Sequence, residues 1–184
     1  MSERQSGILY DNLIKNSKDA ILFLKGTKII DANQRALDFF EVKREDFIGK
    51  EIYEFSQNEE QTQKRAEKRR KGIPEYYTAT LQTSNSLKEA EVYAIPVDTE
   101  NITSISIIRD VTEYNRLDRK YRTIFERSAD LIFVTNASGV VFINPSGLEY
   151  LGLDKEEEIL GKSTLNFIHP DYRKIANKYA EIGR

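Results

Sequence analysis

The chain has 184 residues, of which 39% are hydrophobic and 32% charged, a balance typical of a folded globular protein. Its 28 basic and 30 acidic residues leave a net charge of −2, which argues against a general nucleic-acid-binding protein because such a protein needs a basic field. The absence of cysteine excludes disulfides, thiolate metal sites and a cysteinyl–flavin adduct.

The first elements predicted along the chain are a helix, a hairpin and a second helix. Residues 9 to 17 place Tyr10, Leu13, Ile14 and Ser17 on one face of a helix. Two short β-type runs follow at residues 19 to 24 and 28 to 32, with a Lys-Gly turn between them. Asn33 then suits the N-cap of a helix.

Further along the chain, a polar helix precedes a series of strands. The sequence Ser-Gln-Asn-Glu at residues 56 to 59 fits a capping box at the start of this helix, and Gly72 fits its end. The apolar period then drops to two, which predicts strands at residues 76–83, 90–97 and 103–108. This order of elements indicates an α+β fold with one antiparallel sheet.

The chain contains two copies of one sequence pattern. Asn33 matches Asn144 and Leu37 matches Leu148 at the same offset, and a one-residue insertion then brings Gly49 onto Gly161. Asn144 precedes a proline, which is the pairing expected at the start of a helix. Apolar positions match even where identities differ, so the sequence predicts two tandem domains.

The second copy is shorter than the first. We expect a complete domain at residues 8–113, a helical connector at 114–120 and the N-terminal part of a second domain at 121–184, with three later strands missing. Two strands and a few helices bury little apolar surface and leave a sheet edge open, so we expect this part to be marginally stable alone. Either the chain is a fragment, or a second chain supplies the missing cover.

Three stretches of the sequence resemble the PAS domain family. "RDVTE" after an apolar strand resembles the Asp-(Ile/Val)-Thr signature that closes PAS domains. The segment at residues 121–152 resembles the family's opening, and "GKSTLNFIHPDYR" resembles its Gly-Lys…His-Pro-Asp stretch. The resemblance implies a PAS fold, in which a five-stranded antiparallel sheet carries helices on one face and encloses a small cavity, here followed by a truncated copy.

Cofactor chemistry is restricted by the residue types. His169 is the only histidine, and the resemblance places it in a surface His-Pro-Asp turn; Met1 is the only methionine. A His- or Met-ligated haem is therefore excluded in the first domain. We expect no catalytic site and no metal site in this chain, and the identity of any cofactor stays open.

Seven residues are candidates for lining the cavity that the resemblance implies. They could hold an organic ligand, with a tyrosine hydroxyl as its polar contact. They could equally fill the core without a ligand, which their large rings favour. The candidates are Phe39, Phe40, Phe47, Ile48, Tyr53, Phe55 and Tyr77.

The segment that joins the two copies carries a candidate signal relay. The resemblance implies that a change in the sheet shifts the last strand, and that Asp110, Val111 and Thr112 fix the angle at which the next helix leaves. We expect the Asp110 carboxylate to favour the N-terminal end of this helix and the Thr112 hydroxyl to cap it.

The helix after this relay carries four apolar residues at heptad spacing over about two heptads. This spacing fits either a dimer seam or a helix that packs on its own domain. The seam residues are Tyr114, Leu117, Tyr121 and Ile124.

A basic cluster at residues 64–71 is interpreted as a solvated helix face with pairs to Glu60 and Glu67, since no aromatic residue interrupts it. No nucleic-acid partner is therefore expected. No apolar run approaches a membrane span and the first residues lack a signal-peptide core, so we expect a cytoplasmic chain without a membrane segment.

The sequence therefore predicts a cytoplasmic sensory module. It would sense a small ligand or mediate dimerisation, and relay a signal to an output domain, a histidine kinase or other regulator, in the parent protein. A homodimer, a small molecule and that output domain are the expected partners. The alternative is a ligand-free scaffold for protein–protein interaction.

Overall fold

The computed structural model describes residues 12–176. It divides into two compact units, Met1–Arg116 and Leu117–Arg184, which we call unit 1 and unit 2 and describe separately. Of the helix predicted at residues 9–17, the first part lies outside the described residues, and residues 12–15 are helical. Among the described residues, no helix has both the length and the apolar character to cross a bilayer.

Unit 1 contains a five-stranded antiparallel sheet, as the sequence predicts. The strand order is β2-β1-β5-β4-β3. The central strand, β5, pairs with β1 on one side and with β4 on the other. The strands are β1 (Ala20–Lys25), β2 (Lys28–Ala32), β3 (Glu75–Gln82), β4 (Leu87–Pro96) and β5 (Ser104–Asp110).

Three helices of unit 1 lie between β2 and β3 in the chain. They are α1 (Gln34–Phe40), α2 (Arg44–Phe47) and α3 (Glu59–Arg70), with a 3-10 turn at Ile52–Phe55. Alternate residues of β1, namely Ala20, Leu22 and Leu24, are buried in one core with Phe40 of α1 and Phe47 of α2. The period-two pattern of the strand therefore places one face of the sheet against these helices.

The start of α3 differs from the predicted capping box. Its N-cap is Asn58, whose side chain accepts from the Gln61 N–H at 2.9 Å. The Ser56 hydroxyl accepts from the Asn58 N–H at 3.2 Å, so Ser56 shapes the turn before the helix. After the helix, Gly72 has a φ of 75°, a left-handed conformation that suits a helix end.

Unit 2 contains a two-stranded antiparallel sheet and a small core. Its elements are β6 (Phe133–Asn136), β7 (Gly139–Ile143) and α5 (Pro145–Leu151), with 3-10 turns at Glu156–Glu158, Thr164–Phe167 and Pro170–Tyr172. Val140, Ile143 and Ile159 form its buried core. The helix α4 (Thr112–Arg127) contains the boundary between the two units.

The two copies share one buried hydrogen-bond arrangement, centred on Asn33 in unit 1. The Asn33 Oδ1 accepts from the backbone N–H groups of Ile21 and Ala36, both at 2.9 Å. Its Nδ2 donates to the carbonyl oxygens of Ile14 at 3.2 Å and Asp19 at 3.1 Å. One side chain therefore joins the preceding helix, β1 and the first turn of α1.

Asn144 makes the matching contacts in unit 2. Its Oδ1 accepts from the N–H groups of Ile132 and Gly147, both at 2.9 Å. Its Nδ2 donates to the carbonyl oxygens of Phe125 at 3.2 Å and Asp130 at 2.9 Å. Each partner is the residue that the sequence repeat matches to a partner of Asn33, so the repeat extends to individual hydrogen bonds.

Candidate functional site

The aromatic candidates for cavity lining lie together in unit 1. Phe40 is fully buried, and its ring centroid lies 4.9 Å from that of Phe39, 5.0 Å from Phe47 and 5.2 Å from Phe55. Phe47 and Phe55 are 5.0 Å apart. Rings at these distances are in edge-on or tilted contact, so they fill the space between them.

The other three candidates lie around this aromatic cluster. Ile48 and Tyr77 are half-buried and pack against the same core, and Tyr53 is half-buried in the 3-10 turn. A pocket of about 400 Å³ in unit 1 is lined by other residues, Phe23 and Arg44 among them. That the seven residues line a ligand cavity therefore stays a prediction.

The relay segment joins β5 to α4, and its hydrogen bonds converge on Glu89 of β4. The Val111 N–H donates to the Glu89 carbonyl oxygen at 2.9 Å. The Thr112 hydroxyl accepts from the Glu89 N–H at 2.9 Å and lies 3.3 Å from the Glu89 carbonyl oxygen. Asn115, in the first turn of α4, donates to the Glu89 carboxylate at 2.6 Å. Glu89 therefore holds both the end of β5 and the start of α4.

The turn into α4 is closed by Asp110. Its Oδ1 accepts from the Thr112 N–H at 2.9 Å. The Thr112 hydroxyl, which we expected to cap the helix, is instead bonded to the backbone of Glu89, because α4 starts beside β4. The two polar residues of the relay therefore have separate roles, since Asp110 shapes the turn and Thr112 attaches it to the sheet.

The residue before Glu89 is bound to the aromatic cluster. Lys88 Nζ lies 3.0 Å from the Glu41 carboxylate, donates to the Phe39 carbonyl oxygen at 2.8 Å, and is 5.2 Å from the centre of the Phe39 ring. Asn85 Nδ2 donates to the same Glu41 carboxylate at 2.8 Å. Adjacent residues of β4 therefore contact the end of α1 and the start of α4.

Glu41 makes these contacts from an unfavourable backbone conformation. It follows α1 with a φ of 59°, in the left-handed region that a residue with a Cβ rarely adopts. Hydrogen bonds from Lys88 and from Asn85 hold the pKa of the Glu41 carboxyl below its usual value. The ionised carboxylate thus stabilises a conformation that the backbone alone disfavours.

Comparison with known proteins agrees with this architecture. A sequence model described as a PAS domain matches residues 18–113, and a second PAS domain model matches residues 119–182. The chain belongs to the PAS domain family. The copies that the sequence repeat predicts are therefore tandem PAS domains.

Solved PAS domains share the fold at low sequence identity. A PAS domain of an HTR-like protein from Haloarcula marismortui is 21% identical with a TM-score of 0.50, over 58% of this chain and 98% of that one. A domain of a sensory box sensor histidine kinase/response regulator from Geobacter sulfurreducens is 17% identical with a TM-score of 0.54, over 59% and 97% of the two chains. A PAS domain from a two-component sensor histidine kinase is 15% identical with a TM-score of 0.51, over 59% and 99%. Among curated proteins, no sequence matches this chain.

The seam residues of α4 are exposed. Their exposed fractions run from 37% for Leu117 to 74% for Tyr114, with Tyr121 and Ile124 between them. Phe125, the next residue, packs edge-on against Phe142 of β7 at 4.3 Å between ring centroids. The heptad positions of this connector therefore present apolar surface, while the neighbouring ring belongs to the second PAS domain.

The basic cluster of α3 differs from the predicted solvated face. Lys64 does pair with Glu60 at 2.6 Å, as predicted. Arg69, however, is only 5% exposed, and the Arg65 guanidinium lies 3.5 Å from the centre of the Tyr77 ring. Thr62, Ala66 and Arg69 recur at helical spacing on the buried face of α3. The packing of α3 therefore buries Arg69, a basic residue that the sequence analysis expected to be exposed.

His169 lies at the surface, which agrees with the position expected from the resemblance. Its side chain is 68% exposed, and its Nδ1 lies 3.5 Å from the Asp171 carboxylate. Within residues 12–176, no three histidine, aspartate or glutamate side chains come together as a metal site would require.

Sequence reasoning missed three functional candidates: Glu41, Lys88 and Glu89. They act through contacts between elements far apart in the chain, made by the side chains of Glu41 and Lys88 and mostly by the backbone of Glu89. Single-sequence periodicity carries no signal for such contacts. The one available clue was the mismatch at the end of α1, where the first copy has Glu41 and the second has Gly152.

Proposed function

We propose that this tandem PAS region is a sensory signalling module. A change in the first domain would pass through the junction of β5 and α4 to an output domain in the parent protein, a protein histidine kinase. The convergence of four hydrogen-bond contacts on Glu89 carries this proposal, because any movement of β4 must move the start of α4. The sensor histidine kinases among the proteins of similar fold support the choice of output.

The proposed signal is a small ligand or a change in dimerisation. A homodimer is supported by the exposed heptad positions of α4, since a second copy of the same helix has the matching apolar spacing. Ligand sensing is supported by the physical link from Phe39 through Lys88 to Glu89. The cytoplasmic location stays a prediction from the sequence.

Thr112→Val tests the relay, because valine keeps the shape of threonine and lacks its hydroxyl. We expect the output activity of the full-length protein to lose its response to signal, while hydrogen exchange in the first turn of α4 rises at least ten-fold. Thr123→Val is the matched control, since the Thr123 hydroxyl bonds only within α4, to the Arg119 carbonyl oxygen.

Normal signalling in Thr112→Val, with hydrogen exchange raised, would show that the junction is attached to β4 but transmits nothing. Unchanged exchange would contradict the attachment itself. Either result overturns the relay proposal.

The alternative function is a ligand-free scaffold for protein–protein interaction. The mutual contact of Phe39, Phe40, Phe47 and Phe55 favours it, because rings that fill the core leave less space for a ligand. Native mass spectrometry of the purified protein separates the two functions. A bound small molecule supports the sensor, and a ligand-free dimer supports the scaffold.

A further inference from the structure

Arg69 is a buried cation without a hydrogen-bond partner for its Nε. The residue is 5% exposed, and its Nε is a buried donor that finds no acceptor in the part of the chain that the structure describes. Burial lowers the pKa of Arg69, but a guanidinium keeps its proton at neutral pH because its pKa starts so high. The structure therefore buries a positive charge whose hydrogen bonding is incomplete, an arrangement that strongly disfavours the folded state unless an acceptor is supplied.

A second guanidinium lies beside the same tyrosine. Arg65, one turn earlier on α3, places its guanidinium carbon 3.5 Å from the centre of the Tyr77 ring. Tyr77 lies on β3, and burial raises the pKa of its hydroxyl, so this hydroxyl stays protonated. The hydroxyl oxygen also accepts a hydrogen bond from the Arg69 guanidinium, while its own proton can be donated to an acceptor. Two guanidinium groups and one hydroxyl therefore meet between α3 and β3.

The acidic residues nearby do not balance this charge. Glu75 is bonded through one carboxylate oxygen to Lys68 at 3.0 Å, and its other oxygen is buried without a partner. In residues 12–176, no carboxylate lies within ion-pair distance of Arg65 or Arg69. Three cations therefore face one carboxylate, and the cluster keeps a net positive charge even if Glu75 turns toward Arg69.

We propose that Arg65, Arg69 and Tyr77 bind a small oxyanion, a carboxylate or phosphate group, between α3 and β3. A guanidinium presents its N–H groups as a planar fork that matches two oxygens of such a group, and the buried setting strengthens these bonds. The anion would supply the acceptor that Arg69 Nε lacks. This inference rests on the proposed sensory function and names the chemical class of its ligand.

The proposed oxyanion site lies beside the strands that lead to the start of α4. Tyr77 pairs with Val92 across the ladder between β3 and β4, and the same strand β4 carries Lys88 and Glu89. An anion that draws α3 onto β3 would therefore act on the strand that holds the start of α4. The inner face of α3 buries only one apolar residue, Ala66, so ionic contacts decide how tightly this helix packs.

The site is tested by titration with inorganic phosphate and, separately, with acetate, succinate and citrate, at constant ionic strength in chloride. Comparing phosphate with the three carboxylates shows which of the two oxyanion groups the site binds. We expect saturable binding by calorimetry and a rise in melting temperature for at least one anion. Arg69→Gln should weaken that binding at least ten-fold. Lys64→Gln, which removes the same charge from the exposed side of α3, should leave it within two-fold.

Two further variants separate an anion site from an internal ion pair. Arg69→Met should melt at a higher temperature than the wild type in anion-free buffer, because it removes a buried unpaired charge. Glu75→Gln should bind the anion more tightly, because it removes a competing carboxylate. If Arg69 pairs with Glu75 instead, both variants melt at a lower temperature and no anion saturates, and the proposal is wrong.

The failure of this site and the failure of the sensory function give different results. If no anion binds and Thr112→Val still uncouples the output, the oxyanion site is wrong and the relay stands. If an anion binds with the expected dependence on Arg69 and Thr112→Val signals normally, the site stands and the relay is wrong.

Discussion

The two PAS copies bury the same asparagine with the same partners but surround it with different cores. In unit 2 the partners of Asn144 lie between Phe125 and Gly147, so the arrangement forms from one short stretch of chain. In unit 1 the same arrangement adjoins a core that includes the aromatic cluster and residues of all five strands. Local hydrogen bonds therefore fix the geometry of this corner in both copies, and the amount of apolar packing around it is a separate property.

The largest expected difference between the copies is in their cores. Phe40→Ala removes a fully buried ring that contacts three others, and we expect it to lower the free energy of unfolding of unit 1 by about 4 kcal/mol. Leu151 occupies the matching position at the end of α5 and is half-buried, so Leu151→Ala should lower that of unit 2 by about 1 kcal/mol. Urea denaturation with pulsed hydrogen exchange reports each unit separately. Equal losses in the two units would contradict the difference in packing.

The shared asparagine gives the next largest effect. Asn33→Ala removes four hydrogen bonds and leaves buried backbone groups unpaired, so we expect a loss of about 3 kcal/mol in the stability of unit 1. Asn58→Ala is the control, because Asn58 is an exposed N-cap whose loss should cost about 1 kcal/mol. The same urea experiment measures both variants. A loss for Asn33→Ala no greater than that for Asn58→Ala would show that the buried network adds nothing beyond a cap.

The residues that end α1 and α5 differ, since Glu41 follows α1 and Gly152 follows α5. A Cβ at such a left-handed position is expected to lower the free energy of unfolding by about 1 kcal/mol. Gly152 has a φ of 65° with open space where a Cβ would lie, so Gly152→Ala should lower stability through backbone strain alone. At the matching position, Glu41→Gly removes the strain and the carboxylate, and Glu41→Ala removes only the carboxylate. The difference in stability between those two variants should therefore equal the loss in Gly152→Ala.

Thermal or urea denaturation of the three variants checks this equality. If Glu41→Ala were as stable as Glu41→Gly, the left-handed conformation would carry no strain in the first copy. The two helix ends would then differ only in sequence.

The smallest predicted effect is the dependence of unit 1 on pH. Because the pKa of Glu41 is lower in the folded state than its usual value, the stabilisation by its carboxylate is fully present above the usual value. It is lost as the pH falls through the lower, folded-state pKa. Glu41→Gln should therefore be less stable than the wild type at neutral pH and approach it in acid. Urea midpoints measured from pH 7 downward test this, with Glu45→Gln on the exposed surface of α2 as the control.

The sequence predicted most of the sheet because short β-type runs mark β1 and β2 and a period of two marks β3, β4 and β5. In β1, Ala20, Leu22 and Leu24 are buried at every second position, although Phe23 between them is buried as well, and Asn33 carries the signal of a helix start. The beginning of β4 was missed, since the predicted strand starts at residue 90 and the observed strand starts at Leu87. Lys88 and Glu89 hide the apolar pattern there, because their side chains make polar contacts with other elements.

Candidate functional residues were less predictable because their contacts, like those of Lys88 and Glu89, are with other elements of the fold. The relay segment was predicted from its resemblance to a family signature, but its attachment to Glu89 depends on the pairing of β4 with β5. The burial of Arg69 depends on which side of α3 faces the sheet, and a face made of Thr62, Ala66 and Arg69 has no apolar stripe to show it. Long-range pairing and helix orientation are set by tertiary packing, which composition and local spacing do not encode.

The asparagine at the start of α1 and α5 has few possible replacements. Its side chain offers two N–H donors and one oxygen with two lone pairs, and the structure uses all of this capacity within one planar group. Aspartate has the shape but no donors, serine and threonine have a single donor, and glutamine is longer by one methylene. Apolar core positions in general tolerate exchange among hydrophobic residues of similar volume. When tandem PAS copies have diverged in sequence, this asparagine is therefore a better guide for aligning one copy with the next than the hydrophobic residues of the core.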